Sequence, residues 1–170
     1  MTPKLVRTLA VITAVSSLLI LLAAFLVPLL MRLGHDGTGL VLWKMLGPLC
    51  HQKHDRSLFI LGWQMGLCAR CTALFFLTFG SGLMIGLRPG LLLRRRPMYA
   101  LSAAAMLPML AEVGIALALD TDYPVYIRMI TGALYGGGST VFTLMLVHDA
   151  GCWLENKHRQ RKERKERRTP

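Results

Sequence analysis

Long apolar runs separated by short polar connections set the pattern of this chain. From Leu9 to Met31 no charged residue interrupts the apolar sequence, and a helix needs about 20 such residues to cross about 30 Å of hydrocarbon. Three more stretches reach that length. They are Leu67 to Leu87 with Arg70 near its start, Met98 to Leu119 with Glu112 inside, and Val125 to Val147 with Arg128 near its start. The expected fold is all-α, an integral membrane bundle of about four transmembrane helices at 9–31, 67–87, 98–119 and 125–147. Residues 1–153 would form one membrane domain and 154–170 a basic tail.

The connection from Gly34 to Gly66 is too long for a structureless loop in a compact protein. Its apolar stretch Leu40 to Leu49 is too short to span, so it predicts a re-entrant or interfacial helix that ends at Gly47-Pro48. That break would present Cys50 and His51 just beyond it. Leu58 to Met65 is expected to lie in the interface, with Trp43 and Trp63 in the aromatic belt.

Composition agrees with the pattern: 54% of residues are hydrophobic and the mean hydropathy is +0.47, outside the range of a soluble domain. Charge supplies orientation, because lysine and arginine in short loops are retained on the cytoplasmic side. Lys4 and Arg7, then Arg88, Arg94, Arg95 and Arg96, then eight tail residues all fall on one side, 14 of the 20 basic residues. Both termini are therefore expected in the cytoplasm of a multi-pass cell-membrane protein, with the Cys/His loop and Asp120 and Asp122 outside. The net charge of +11 comes mostly from the tail, where Glu155, Glu163 and Glu166 are interleaved with the cations. A solvated helical extension that meets the bilayer's anionic lipid headgroups explains it without nucleic acid. The first span is longer than a secretory signal core and is read as an uncleaved anchor.

Small residues mark where helices meet in lipid. Gly80, Ser81, Gly82 and Gly86 in the second span, and Gly132, Gly136, Gly137 and Gly138 in the fourth, suit close packing within the bundle or a homo-oligomer. The ten methionines do not form a soft-metal relay, and the chain has no glycine-rich phosphate loop and no serine-hydrolase elbow.

The chemistry concentrates in Cys50-His51-Gln52 and Cys68-Ala69-Arg70-Cys71. Two cysteines three apart at a helix start share a face, and the helix N-terminus favours thiolate over thiol. With Cys50 and His51 folded back, Cys68 and Cys71 complete a Cys3His set that suits zinc, or iron or copper. Adjacent Cys and His seldom both reach one ion, so His54 is the alternative to His51. A second reading makes the chain a thiol-disulfide oxidoreductase, with Cys68 and Cys71 as the active pair, Cys50 as exchange partner and quinone as electron acceptor. A structural disulfide is a third, and a small transporter or lipid-handling protein with a structural metal is a fourth. Three outer cysteines suit a metal better than two disulfides. Cys152 is read as a thiol without a role. Glu112 inside a span is costly unless paired or neutralised. It either bridges Arg128 or joins Arg70 and Arg128 as the catalytic floor of a polar pocket that receives an anionic headgroup, a quinone or a proton.

Cys50-His51-Gln52, Arg56-Ser57, Gly62 with Gln64, and Cys68-Ala69-Arg70-Cys71-Thr72 resemble the pattern of small bacterial and archaeal membrane proteins known as domain of unknown function 2085. Leu107-Pro108 followed by Glu112, and Arg128 with Thr131 and Gly132, extend the likeness, which covers roughly Leu46 to Gly137. Glu112 stands where that family has Asp, and Val113 separates it from Gly114. His54 falls where the family often has proline, which favours His51 as the ligand. The resemblance implies a multi-span membrane protein and supplies no reaction. Of the polar positions that carry it, Gln52, Arg56, Gln64 and Thr131 are expected to contact a cofactor.

Overall fold

The structure, a computed structural model, describes residues 2–88 and 95–166. Arg94 of the expected basic loop, and Arg167 and Arg168 of the tail, lie outside the described residues. Five helices and one hairpin follow in order: α1 (Thr2–Arg32), α2 (Asp36–Leu46), β1 (Ser57–Ile60), β2 (Trp63–Cys68), α3 (Ala69–Leu87), α4 (Arg95–Leu119) and α5 (Val125–Glu166). Single 3-10 turns at Gly47–Leu49 and His54–Arg56 join α2 to β1. Among the described residues four helices are long and apolar enough to cross a membrane, and they contain the four expected spans' apolar centres.

α3 lies between α1 and α5, and α4 leans on α5. Helices gain little from water exclusion inside lipid, so close backbone approach must hold them. The α3–α5 seam supplies it. A Cβ on Gly132 would collide with the Arg70 carbonyl, and one on Gly136 with the Leu74 backbone. These pairs are four apart on both helices, so the small-residue face of α5 rests on one ridge of α3. Thr78 Oγ1 donates to the Gly136 carbonyl across the same seam at 3.3 Å. On the opposite side of α3, a Cβ on Gly82 would lie 3.0 Å from the Ala10 carbonyl oxygen of α1. The outer faces of α1 and α4 expose large apolar side chains such as Leu19, Leu22, Leu101 and Leu107, as lipid contact requires.

Two buried clusters mark the ends of the bundle. Val6, Ala10, Ile85, Leu144 and Met145 close one end. Ala24, Val27, Leu46, Cys50, Met65 and Leu67 close the other, which carries α2 and the hairpin. The expected short helix is present but begins at Asp36, four residues before Leu40, and passes at Gly47-Pro48 into a 3-10 turn. Leu58 to Met65 differs more. It forms antiparallel strands, with Ile60 opposite Trp63 and Phe59 opposite Gln64. The turn residues Leu61 and Gly62 both have positive φ, 56° and 85°, the conformation that suits a two-residue hairpin. β2 lies so close to α1 that a Cβ on Gly66 would meet Ala24 Cα at 3.1 Å. As far as Glu166, the basic segment continues α5 without a break.

Candidate metal centre and its polar floor

Cys50 closes the first 3-10 turn in an extended conformation, its N–H bonded to the Gly47 carbonyl at 3.2 Å. Its buried sulfur accepts the backbone N–H of Cys68 at 3.2 Å and that of Gln52 at 3.5 Å. Cys68 ends β2 and caps α3, and Cys71 lies in the first turn of that helix. The three sulfurs lie within 4.8 Å of one another. All four cysteines are free thiols. Cys71 Sγ donates to the Leu49 carbonyl at 4.0 Å. The three neighbouring thiols push one another apart in acidity: Cys50 and then Cys71 lower Cys68 below the usual thiol range, while Cys50 and Cys71 are raised.

Two glutamines hold this loop in place. The Gln52 amide nitrogen donates to the Trp43 carbonyl at 2.7 Å and to the Gly66 carbonyl at 2.8 Å. The Gln64 amide nitrogen donates to the Gln52 carbonyl at 2.7 Å and to Ser57 Oγ at 3.0 Å. Together they tie α2, the cysteine loop and both strands, and their donors are thereby occupied. Gln52 has φ of +48°, a conformation uncommon outside glycine, and these bonds hold it there. Both histidines stand outside the sulfur group. His51 is exposed and lines an adjacent cavity. His54 is exposed, 3.4 Å from Gln64 Oε1 and edge-on to Phe59.

Below the cysteines, the buried Glu112 carboxylate of α4 accepts from Arg70 of α3 and from Thr131 Oγ1 of α5. One carboxylate therefore joins three spans, with both of its oxygens bonded. The expected Glu112–Arg128 bridge does not form. Arg128 sits in the first turn of α5, where its Nε reaches the Tyr123 carbonyl and its Nη2 reaches Asp122, both at 2.9 Å. Those partners precede it in the chain and lie toward the helix end, so Arg128 turns upward while Thr131, one turn deeper, meets Glu112. Arg56 pairs with the same Asp122 oxygen. Asp122, whose sequence position indicates only topology, thus ties the cysteine loop to α5. Arg70 Nε is buried and has no hydrogen-bond partner.

A cavity of about 300 Å³ opens between loop and floor. Lys53, Arg56, Arg70 and Arg128 line it together with His51, Gln52, Cys68 and Leu117. It thus brings together most of the expected residues, with Glu112 and Thr131 bonded behind Arg70. Cys68 belongs to both the sulfur group and the cavity wall.

The chain also has relatives. An uncharacterized protein of Methanocaldococcus jannaschii is 31% identical over 81 residues, which cover 45% of this chain and 49% of that protein. The chain therefore spans about half the length of the curated relative it matches. No solved structure matches it. The family described as "Predicted membrane protein (DUF2085)" matches residues 50–142, from the first cysteine of the site to the middle of α5. That match takes in the three clustered cysteines, the Glu112 network and the α3–α5 seam, and the chain belongs to this membrane protein family, domain of unknown function 2085.

Proposed function

We propose that this protein holds one metal ion, zinc or iron, on Cys50, Cys68 and Cys71 at the extracytoplasmic end of the bundle, with the fourth coordination position facing the basic cavity. The convergence of the three sulfurs carries this reading. Tetrahedral zinc with bonds of about 2.3 Å sets its sulfurs about 3.8 Å apart. Sulfurs within 4.8 Å of one another reach that separation by shifts of about 1 Å. Three protein ligands and an open position are the pattern of catalytic zinc sites, whereas four ligands mark structural ones. A metal here would supply a Lewis acid beside the cavity. Arg70 and Arg128 would position a bound molecule, with Glu112 and Thr131 holding Arg70 in place.

Metal analysis of the protein purified in mild detergent, with thiol counting on the same sample, tests the proposal. About one ion per chain is expected, lost in Cys68→Ser, with the outer thiols unreactive until the ion is removed. Metal content that Cys68→Ser leaves unchanged would overturn it. His51→Ala should keep the ion if the fourth position is open and lose it if His51 closes the set.

The close approach of three free cysteine sulfurs also supports a second reading as a thiol oxidoreductase. Cys68 and Cys71 would form a disulfide, passing two electrons to a quinone that takes up two protons, one from Cys71 and one from Cys68 or water, and leaves as quinol. Metal-free protein that loses two thiols on adding quinone would favour this reading over the first.

A further inference from the structure

We infer that the cavity beside Cys68 binds a phosphoryl anion. This deepens the site proposed above, but it rests on the cations of the cavity and needs no metal. Lys53 and Arg56 reach the cavity from the cysteine loop, Arg70 from α3 and Arg128 from α5. Two carboxylates answer these four cations: Glu112 on Arg70, and Asp122 shared by Arg56 and Arg128. Lys53 has no ion-pair partner among the described residues. A single Cys68 thiolate, or a divalent ion on three thiolates, adds about one negative charge, so the cavity stays positive.

Burial makes that surplus consequential. The Arg128 side chain is only 4% exposed, and Tyr123 and Asp122 take its Nε and Nη2. Arg70 Nε is buried without a partner, while Arg56 spends one nitrogen on Asp122. Guanidinium forks match phosphate oxygens in pairs. Three of them, arriving from three separate elements, surround a volume rather than a plane. A phosphoryl group offers three oxygens to such forks where a carboxylate offers two.

The remaining wall shows how such a group could enter. Leu117, near the end of α4, lines the cavity and is 81% exposed. A phosphate carried on an acyl chain could therefore approach from the bilayer, and a free phosphate from the water above Lys53.

Native mass spectrometry in an uncharged detergent tests this with four probes: inorganic phosphate, phosphatidic acid, phosphatidylcholine and acetate. Phosphatidic acid should bind in preference to phosphatidylcholine, and Lys53→Ala and Arg56→Gln should each weaken it about ten-fold, the loss of one charge-assisted contact. Lys53 makes no ion pair among the described residues, whereas Arg56→Gln gives up the Asp122 contact, so thermal unfolding of both variants checks that the fold is kept. Binding of inorganic phosphate with the same dependence on Lys53 and Arg56 would identify a soluble source; binding of phosphatidic acid alone would identify a lipid one. Phosphatidic acid binding that ignores both substitutions belongs to the basic tail and would overturn the proposal. Acetate competing as well as phosphate would also overturn it. Cys68→Ser separates the two readings, since it should abolish metal binding and leave phosphoryl binding in place.

Discussion

A single carboxylate, Glu112, decides how three spans meet at the site. Replacing it with Gln leaves the part-buried Arg70 guanidinium without its counter-charge. Breaking a buried pair in this way costs about 3–5 kcal/mol, with the lower end apt here because a fifth of Arg70 is exposed. Thermal unfolding in detergent should show that loss, and adding Arg70→Gln should recover much of it. A Glu112→Gln variant as stable as the parent would remove the pair from the account of the fold. The carboxylate was conspicuous in the sequence because charge is rare within a span, but its partner was not. Arg70 and Arg128 both begin helices at the same end, and only the rotation of α3 and α5 about their axes separates them. The cysteines were easier to find, since the positions of Cys68 and Cys71 follow from local helix geometry. The roles of Gln52 and Gln64 could not be read in that way. Their bonds go to the backbone of Trp43 and Gly66, and of Gln52 itself, which become neighbours only after folding.

Among the elements, the α3–α5 seam bears most on the site because Gly132 rests on the carbonyl of Arg70. A methyl group at Gly136 would press on the Leu74 backbone, which cannot move aside as a side-chain end would. Gly136→Ala should therefore cost about 1–3 kcal/mol, the usual penalty of overpacking. Gly80 has open space around its Cα, so Gly80→Ala should be neutral or stabilising by up to about 1 kcal/mol. Unfolding temperatures of the two variants side by side make the check, and equal behaviour would mean the seam is not there. The four spans were legible because length and apolarity alone define them. The hairpin was not, because an apolar run such as Leu58 to Ile60 suits a strand and an interfacial helix equally. Its turn is Leu61-Gly62 rather than the Asn-Gly that announces a tight hairpin. The start of α2 was missed for a related reason: Asp36-Gly37-Thr38-Gly39 has the composition of a turn.

For the whole molecule, the cysteine loop, the Asp122 connection, the start of α3 and the start of α5 all gather at one end. The termini of α1 and α5 that carry Lys4, Arg7 and the tail lie at the other. The distribution of basic residues then predicts which end is outside. An epitope inserted after Asp120 should bind antibody on intact cells, and one appended after Pro170 only after permeabilisation. The reverse result would put the cysteine cluster in the cytoplasm. The length of α5 carries a further consequence. Its 42 residues make a rod of about 63 Å at about 1.5 Å per residue, twice the thickness of the hydrocarbon. With α5 upright and Val125 at the hydrocarbon edge, Lys157 stands about 12 Å beyond the headgroups and Glu166 about 25 Å. Surface potential fades over about 8 Å at physiological salt, so on that geometry the far end of the helix would stand clear of most of it.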